Sequence, residues 1–287
     1  MSRGTPGLAD FVLTADGLER VCELLYRRTG MIFGEKKRYF IERRVADRMK
    51  ATAMDSFVGY FGLVRADPAE AEALINAFTV NETYFYREEH QLRCLTESLL
   101  PEIIRGKRPG DRIRIWSNPC STGEEPYSIA LWLLENWRLV DAYNVEIVGS
   151  DIDSRALRDA AIGEYGERAL SKLPPSVVEG YFGRPHHRKQ AIIDDLKESV
   201  TLTSANLIDG PSMAGHGQFD VIFCRNVIIY FDAAAQLLLW EKFLYHLRPG
   251  GWLVVGHSEQ APKALQARLR PVGPTVYQSV DPAAARG

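Results

Sequence analysis

The segment IRIWSNPCSTGEEPYSIALWLLE, residues 113–135, contains the change of pattern that decides the fold. A β-branched apolar run ends at a loop with Pro, Ser, Thr, Gly and two Glu residues, and a helical apolar pattern follows it. A strand, a loop and a helix in this order form the repeating unit of nucleotide-binding sheets. The loop nevertheless has neither the Lys of a phosphate-binding P-loop nor a G-x-G-x-x-G pattern. Its two carboxylates therefore indicate a ligand whose chemistry differs from that of a phosphate.

The same alternation continues beyond this segment and predicts a mostly parallel sheet with helices on both faces. The predicted strands span 113–117, 145–151, 200–205, 219–224 and 251–256, and the predicted helices span 125–137, 153–162 and 233–247. Residues 163–199 are rich in Gly and Pro and too long for a simple connection, so we expect a small insertion there.

Residues 10–85 have no strand pattern and predict a small all-helical domain. The four predicted helices are LERVCELLYRRTG (18–30), KKRYFIERRVADRMKA (36–51), SFVGYFGLVRAD (56–67) and PAEAEALINAFTV (68–80). The predicted domains are a helical domain at 1–85, a linker helix and loop at 86–112, and an α/β domain at 113–287.

The composition is that of an ordinary globular protein: 287 residues, 46% of them hydrophobic and 25% charged, with a net charge of −2. The near-zero net charge argues against a dedicated nucleic-acid binder. The four cysteines have no C-x-x-C spacing, which argues against a zinc site and against a disulfide framework. No apolar run approaches the length of a membrane span, and the N-terminus MSRGTPGLADF has no apolar leader, so we expect a cytoplasmic protein.

Polar residues follow several of the predicted strands directly. Ligands of open α/β sheets bind beyond the carboxyl ends of the strands, so these residues are the candidates for a site. They are Ser117 to Glu125, Asp151, Asp153, Asn206, Leu207, Asp209, Arg225, Asn226, Tyr230, His257, Ser258 and Glu259. Each has an ordinary structural explanation; Thr122 and Glu125, for example, have the spacing of a capping box that starts a helix. Their recurrence at the same end of successive strands favours a shared ligand site.

The carboxylates after the first two strands indicate the chemistry of that ligand. Phosphates prefer loops that are rich in N–H groups and cations. Carboxylates suit a ligand with hydroxyl groups and positive charge, and an acid in the position of Asp151 accepts hydrogen bonds from ribose hydroxyls in dinucleotide folds. Because no pyrophosphate loop is present, S-adenosylmethionine is a better prediction than NAD.

Five motifs occur in order along the chain: NETYFYRE (81–88), WSNPCSTGEEPYSIA (116–130), SDIDSRALRDAAIGEY (150–165), FDVIFCRNVIIYFD (219–232) and PGGWLVVGHSE (249–259). Together they resemble the CheR-type chemotaxis receptor methyltransferases over nearly the whole chain. The resemblance implies an α/β, Rossmann-like S-adenosylmethionine methyltransferase sheet with an inserted small antiparallel β-subdomain, preceded by a small all-helical domain. It also implies methyl transfer from S-adenosylmethionine to glutamate side chains on the cytoplasmic helices of chemoreceptors, with S-adenosylhomocysteine as the product.

The resemblance further implies which residues form the site. Carried over by motif, the cofactor-binding residues are Asn81, Thr83, Arg87, Glu124, Asp151, Asn206, Leu207, Arg225 and Asn226. Arg87 and Tyr230 would lie nearest to the transferred methyl group and are the predicted catalytic residues, and no metal is expected. The chain departs from the family at Asn118-Pro119, where Ala-Gly is common, and a proline there fixes φ and removes an N–H group.

The predicted helix at 36–51 carries the local excess of basic residues. Lys37, Arg44 and Arg48 have spacings of seven and four residues, which place them on one face of a continuous helix. Such a face is either a solvated amphipathic surface or a docking surface for an acidic receptor helix bundle. The resemblance favours docking, and it leaves open whether the insertion at 163–199 binds a receptor tail. We expect a monomer that binds no nucleic acid and meets the membrane only through receptors.

Three other functions stay open from the sequence. A methyltransferase that acts on a small molecule would need a deep apolar substrate pocket and would have no use for a basic docking helix. A cofactor-binding signalling module without catalysis has its support in Asn118-Pro119 alone. An NAD oxidoreductase is disfavoured, because no glycine fingerprint follows any predicted strand.

Overall fold

The computed structural model describes residues 11–280. The predicted lack of an apolar leader falls mainly on residues 1–10, and the predicted α/β domain ends at residue 287, so these two predictions lie wholly or partly outside the described residues. The chain forms two compact units. We call them the helical unit, which runs through Val80 and includes residues 230–232, and the sheet unit, which holds the remaining residues. No helix among residues 11–280 is both long enough and apolar enough to cross a bilayer.

The described part of the helical unit contains four α-helices, which confirms the predicted number. They are α1 (Ala15–Thr29), α2 (Arg38–Ala51), α3 (Phe57–Ala66) and α4 (Pro68–Phe78). Local sequence fixes their ends: the Thr14 hydroxyl caps the start of α1, Gly30 ends it in the left-handed conformation, and Pro68 opens α4. Fully buried side chains such as Val21 and Leu74 lie in a core that all four helices share.

The sequence predicted a basic stripe of Lys37, Arg44 and Arg48 on one face of the second helix. Two of these residues, Lys37 and Arg48, do not fit that prediction. Lys37 lies in a 3-10 turn before α2, so it does not continue the face of that helix. Arg48 points inwards, where its Nε donates to an Oε1 of the buried Glu70 at 3.0 Å, and the Tyr60 hydroxyl donates to the same oxygen at 2.9 Å. Arg48 is therefore engaged by a buried acid, and Arg44 is partly buried with its guanidinium over the ring of Phe40.

The described residues of the sheet unit form one seven-stranded sheet in the order β5-β2-β1-β6-β7-β9-β8 and a separate two-stranded sheet. The strands are β1 (Arg112–Ser117), β2 (Asn144–Asp151), β3 (Glu164–Gly166), β4 (Lys189–Ala191), β5 (Val200–Ser204), β6 (Phe219–Cys224), β7 (Leu247–Val255), β8 (Leu269–Gly273) and β9 (Val276–Ser279). Strands β5, β2, β1, β6 and β7 are parallel, and β8 and β9 are antiparallel additions at one edge.

The five parallel strands confirm the predicted strands and the predicted fold class. The antiparallel pair of β3 and β4 lies within residues 163–199 and confirms that this segment is an insertion with its own small sheet. Strands β8 and β9 were not predicted. Pro271 and Pro274 interrupt the strand pattern of that segment, which removes the usual sequence signal.

Helices cover the sheet and connect its strands. In the described part of the sheet unit they are α5 (Glu89–Cys94), α6 (Leu100–Ile104), α7 (Glu124–Asn136), α8 (Ser154–Ile162), α9 (Glu167–Leu170), α10 (Pro175–Tyr181), α11 (Asp194–Glu198), α12 (Gly210–Ala214) and α13 (Ala233–His246). One π-helical segment, Leu95–Leu99, joins α5 and α6 into a continuous linker helix. The buried Ile113 and Ile115 of β1 belong to the same core as the buried apolar side chains of this helix and of α7.

Candidate functional site

The strand order places the candidate site at the carboxyl end of β1. From β1 the chain continues to β2 and β5 on one side of the sheet, and then returns to β6 and β7 on the other side. Loops that leave β1 and β6 in opposite directions open a crevice between them, which is where ligands of such sheets bind.

The loop after β1 is held by the backbone of its neighbours. The N–H of Asn118 donates to the carbonyl of Phe223, and the N–H of Cys120 donates to the carbonyl of Ser150. The Asn118-Pro119 peptide is cis. Gly123 ends the loop with a φ of 93° and is the N-cap of α7, without a capping side chain. Through these contacts the loop is tied to both β2 and β6.

The predicted capping box of Thr122 and Glu125 is wrong. Helix α7 begins one residue earlier, and the Thr122 hydroxyl donates to the carboxylate of Glu124 at 2.6 Å. Instead, the Glu125 carboxylate accepts a hydrogen bond from the Ser117 hydroxyl at 2.8 Å and forms an ion pair with the Arg225 guanidinium, also at 2.8 Å. A distant partner at residue 225 therefore decides the role of Glu125, which its spacing from Thr122 cannot show.

Arg225 joins three segments of the sheet unit. Besides Glu125, its guanidinium donates to the main-chain carbonyl of Arg87 at 2.7 Å and lies 3.3 Å from the carboxylate of Glu88. The side chain is 4% exposed. Its charged end is thus engaged by protein groups, and it ties the segment that carries Arg87 to the first turn of α7.

Asp151 ends β2 and is buried among backbone amides. Its carboxylate accepts hydrogen bonds from the N–H groups of Ser121 and Asp153, each at 2.8 Å. Burial outweighs these bonds and raises the pKa of Asp151 to about 6. Among residues 11–280, no Lys or Arg forms a salt bridge with this carboxylate.

Asn81 connects the start of the sheet unit to both loops. Its Oδ1 accepts from the Ser121 hydroxyl at 3.0 Å, and its Nδ2 donates to Asp153 at 2.9 Å. Asp153 is also the N-cap of α8, where it accepts from the N–H groups of Arg155 and Ala156. The sequence placed Asp153 after β2 without a role, and the structure identifies it as the residue that holds Asn81 next to Asp151.

Asn206 and Leu207 follow β5, the strand next to β2. The N–H of Ala205 donates to the carbonyl of Asp151 at 3.0 Å, so this segment begins beside the candidate site. The Asn206 side chain accepts from the N–H of Ile208, and the carbonyl of Leu207 accepts from Lys242.

The two predicted catalytic residues belong to different units of the chain. In the sheet unit, Arg87 is partly exposed, its guanidinium donates to the carbonyl of Glu82 at 2.7 Å, and Thr83 lies on the same short segment. In the helical unit, the carbonyl of Tyr230 accepts from the N–H of Ile32 at 2.9 Å. The Nζ of Lys37 lies 5.7 Å from the centre of the Tyr230 ring.

The residues of the sheet unit fit S-adenosylmethionine better than a phosphate ligand. Glu124 is a second buried carboxylate, and burial raises its pKa as well. Two desolvated acids that lack a cationic partner among residues 11–280 are suited to a ligand that brings hydroxyl donors and positive charge. Asp151 and Asn81 offer acceptors for hydroxyl groups, and Glu124 offers an acceptor or a counter-charge. Within the same residues, no group of three or more His, Cys, Asp or Glu side chains is arranged to hold a metal ion.

Comparison with known proteins places the two units in one family. A family model described as "CheR methyltransferase, SAM binding domain" matches residues 81–277, and one described as "CheR methyltransferase, all-alpha domain" matches residues 16–79. The chain is 44% identical over 252 residues to chemotaxis protein methyltransferase 2 of Vibrio cholerae, with 87% of each chain covered. It is 38% identical over 275 residues to chemotaxis protein methyltransferase 2 of Pseudomonas aeruginosa, with 94% of this chain and 95% of the relative covered. The resemblance predicted from the five motifs is confirmed.

Proposed function

We propose that this chain, which belongs to the CheR methyltransferase family, methylates chemoreceptors in chemotactic adaptation by converting glutamate side chains on their cytoplasmic helices to methyl esters. The observation that carries this proposal is the pair of family matches, which together span residues 16–79 and 81–277 with the site residues inside them. The names of the relatives give the chemotactic context, and the ester chemistry is our proposal.

The cofactor-binding residues of the proposal are those that the motifs indicate. Bound S-adenosylmethionine supplies a methyl group that is activated by a positively charged sulfur. In our proposal Asp151 and Asn81 receive its ribose hydroxyls, while Glu124, Asn206 and Asn226 bind the rest of the molecule. Thr83, Leu207, Arg225 and Arg87 complete the set. The support is that Asp151, Asn81 and Ser121 already form one hydrogen-bonded group at the end of β2.

The substrate carboxylate needs no general base. A glutamate side chain with a pKa near ~4.3 is already ionised at neutral pH. The task of the protein is then to place one carboxylate oxygen in line with the methyl group, and positioning of this kind contributes on the order of 7–11 kcal/mol to catalysis. We assign to Arg87 a charge-assisted hydrogen bond to the substrate carboxylate and to Tyr230 the orientation of the reacting groups. Arg87 must not bind the attacking oxygen too tightly, because stabilisation of the ground state slows transfer.

The partner in this proposal is the acidic cytoplasmic helix bundle of a chemoreceptor. In our proposal the chain binds it as a monomer in the cytoplasm. On the outer face of α2, Arg43 and Lys50 are exposed. They line a shallow hollow of about 300 Å³ together with Tyr39 and the two acids Glu42 and Asp47, and of these two Glu42 is engaged by Arg38. Exposed cations around a hollow suit weak, salt-dependent docking of an acidic helix.

The deciding experiment combines the protein, S-adenosylmethionine with a labelled methyl group, and a chemoreceptor cytoplasmic fragment. We expect label on the fragment that mild base releases, because a carboxyl methyl ester hydrolyses under these conditions. A second fragment with the accepting glutamates changed to alanine is the control and should stay unlabelled. Base-stable label, or equal labelling of both fragments, would contradict the proposed reaction.

A further inference from the structure

Glu259 is a buried acid that binds backbone N–H groups from two loops. It follows β7, and the residue is 3% exposed. Among the described residues, four N–H groups donate to its carboxylate. They belong to Gly256 at 2.6 Å, Asn226 at 3.0 Å, Val227 at 2.8 Å and Ile228 at 2.7 Å. The Glu259 side chain thus links the turn after β6 to the loop after β7.

The turn held by Glu259 has a conformation that needs support. Asn226 has a φ of 59°, in the left-handed region that asparagine adopts more readily than most residues other than glycine. Three consecutive N–H groups, from Asn226 to Ile228, point towards the carboxylate. The carboxylate of Glu259 accepts the hydrogen bonds that these three N–H groups would otherwise lack, and a buried N–H group without an acceptor is destabilising.

The backbone at Gly256, on the other side of the Glu259 carboxylate, has no room for a side chain. A Cβ at Gly256 would lie 2.8 Å from the Nδ2 of Asn226 and 2.8 Å from the Oε2 of Glu259. The backbone at residue 256 therefore approaches both side chains so closely that only glycine fits. The GHSE sequence at 256–259 thus provides both the glycine that the close approach requires and the glutamate that binds the turn.

Arg225 is the first residue of this turn, directly after β6. Arg225 connects to Glu125 at the start of α7 and to the main chain of Arg87. Any shift of the turn would therefore move the ion pair that ties these segments together. Glu259 itself forms no salt bridge among residues 11–280, so backbone amides offset its charge.

We propose that Glu259 is a positioning residue for the cofactor site, which fixes the Arg225–Ile228 turn so that Asn226 and Arg225 keep their places at the end of β6. The inference rests on the proposed function, since it assigns the turn to cofactor binding. Glu259 does not touch the ligand in this proposal. It acts only through the backbone that it binds.

The test is the affinity for S-adenosylhomocysteine, measured by calorimetry on the full chain. In Glu259→Gln an amide nitrogen replaces one carboxylate oxygen and brings N–H donors against N–H donors. We expect the Kd to rise at least tenfold at a temperature where the variant is folded. Asp220→Asn is the matched control, because Asp220 is also buried and charged but lies at the amino end of β6, where it pairs with Lys107 and Arg248. It should lower the Tm and leave the Kd unchanged.

The outcomes separate the inference from the function on which it rests. If the wild-type protein does not bind S-adenosylhomocysteine, the proposed function fails first. If the wild-type protein binds and folded Glu259→Gln binds equally well, or if both variants weaken binding to the same extent, Glu259 is a structural residue and the inference is overturned. Should Glu259→Gln not fold, Glu259→Asp decides: it keeps the charge but withdraws it by one methylene, and a Kd equal to that of the wild type would likewise overturn the inference.

Discussion

Asp151 is expected to make cofactor affinity depend on pH. Burial raises its pKa to about 6, so the carboxylate is ionised above that pH and protonated below it. A ligand that donates hydroxyls to the carboxylate binds the ionised form. At pH 5 about one tenth of the molecules carry that form, so the Kd for S-adenosylhomocysteine should rise about tenfold between pH 7 and pH 5. Calorimetry at a series of pH values measures this change.

Two variants assign the pH effect to its source. The pKa of Glu124 is raised as well, and its protonation would act in the same direction. In Glu124→Gln, the remaining pH dependence of the Kd reports the titration of Asp151. In Asp151→Asn, the contribution of Asp151 to the pH dependence should disappear. A profile of Asp151→Asn that has the shape of the wild-type profile would assign the titration to another group.

Arg87 is expected to affect turnover more than cofactor affinity. Its guanidinium donates to a nearby carbonyl and stays partly exposed, so it remains accessible to a substrate carboxylate. In Arg87→Ala we expect turnover to fall at least about a hundredfold, roughly 3 kcal/mol of transition-state stabilisation, while the Kd for S-adenosylhomocysteine, which Arg87 also binds in our proposal, rises less than about tenfold. Arg93→Ala removes an exposed arginine of α5 and is the control for a lost charge. Equal losses of turnover and affinity in Arg87→Ala would show that Arg87 acts through cofactor binding alone.

At the level of elements, the start of α7 depends on the backbone freedom of Gly123. Its φ of 93° disfavours other residues, and an added Cβ would lie 2.9 Å from both Ala160 and the ring of Tyr127. We expect Gly123→Ala to lower the free energy of unfolding by about 2–4 kcal/mol, from backbone strain and overpacking together. Urea denaturation measures the loss. Gly106→Ala is the matched control, because a Cβ there meets no atom within 4 Å and should change stability little.

The elements of the sheet were predictable where one local pattern determines them. β6 is a fully buried strand, the carboxyl-terminal halves of β2 and β7 are buried as well, and β1 and β5 are rich in β-branched residues, so local composition was enough to predict these strands. The start of α7 was not predictable in the same way. Thr122 and Glu125 have the spacing of a capping box, but Arg225 and Ser117 bind Glu125 instead. Arg225 is a hundred residues away along the chain, so no local rule includes it.

The same limit applies to the candidate site. The position of a residue after a strand identified Asp151 and Glu124, because the carboxyl ends of parallel strands meet at one edge. The partners of these residues come from separate parts of the sequence: Asn81 reaches Asp153 across 72 positions. Glu259 also followed a strand in the sequence, but its contacts with the turn after β6 could be seen only in the folded chain.

At the scale of the whole molecule, the motif FDVIFCRNVIIYFD is divided between the two units. Its last three residues, 230–232, belong to the helical unit. There the Tyr26 hydroxyl donates to Asp232 at 2.9 Å, and Met31 forms an antiparallel bridge with Phe231. The helical unit therefore holds the backbone on either side of the segment that carries Tyr230.

The proposed docking surface on α2 includes fewer of the predicted residues than the sequence indicated, and this changes which variants test it. Arg48 pairs with the buried Glu70, so Arg48→Glu should destabilise the helical unit by placing two acids against each other. Arg43 and Lys50 are exposed on the outer face of α2. The double variant Arg43→Glu/Lys50→Glu should keep its Tm and lower receptor methylation about tenfold at low salt. The defect should shrink as salt increases, because screening weakens the attraction in the wild type as well.

A charge reversal elsewhere on the surface separates docking from net charge. Arg138 is exposed just beyond the end of α7 in the sheet unit, and Arg138→Glu should leave methylation near that of the wild type. Measurement of the initial methylation rate against receptor concentration distinguishes the two effects further. A docking defect raises the KM for the receptor and leaves the rate at saturation unchanged. If the double variant lowered the saturated rate and kept the KM, then α2 would act on the reaction and the docking proposal would have to be abandoned.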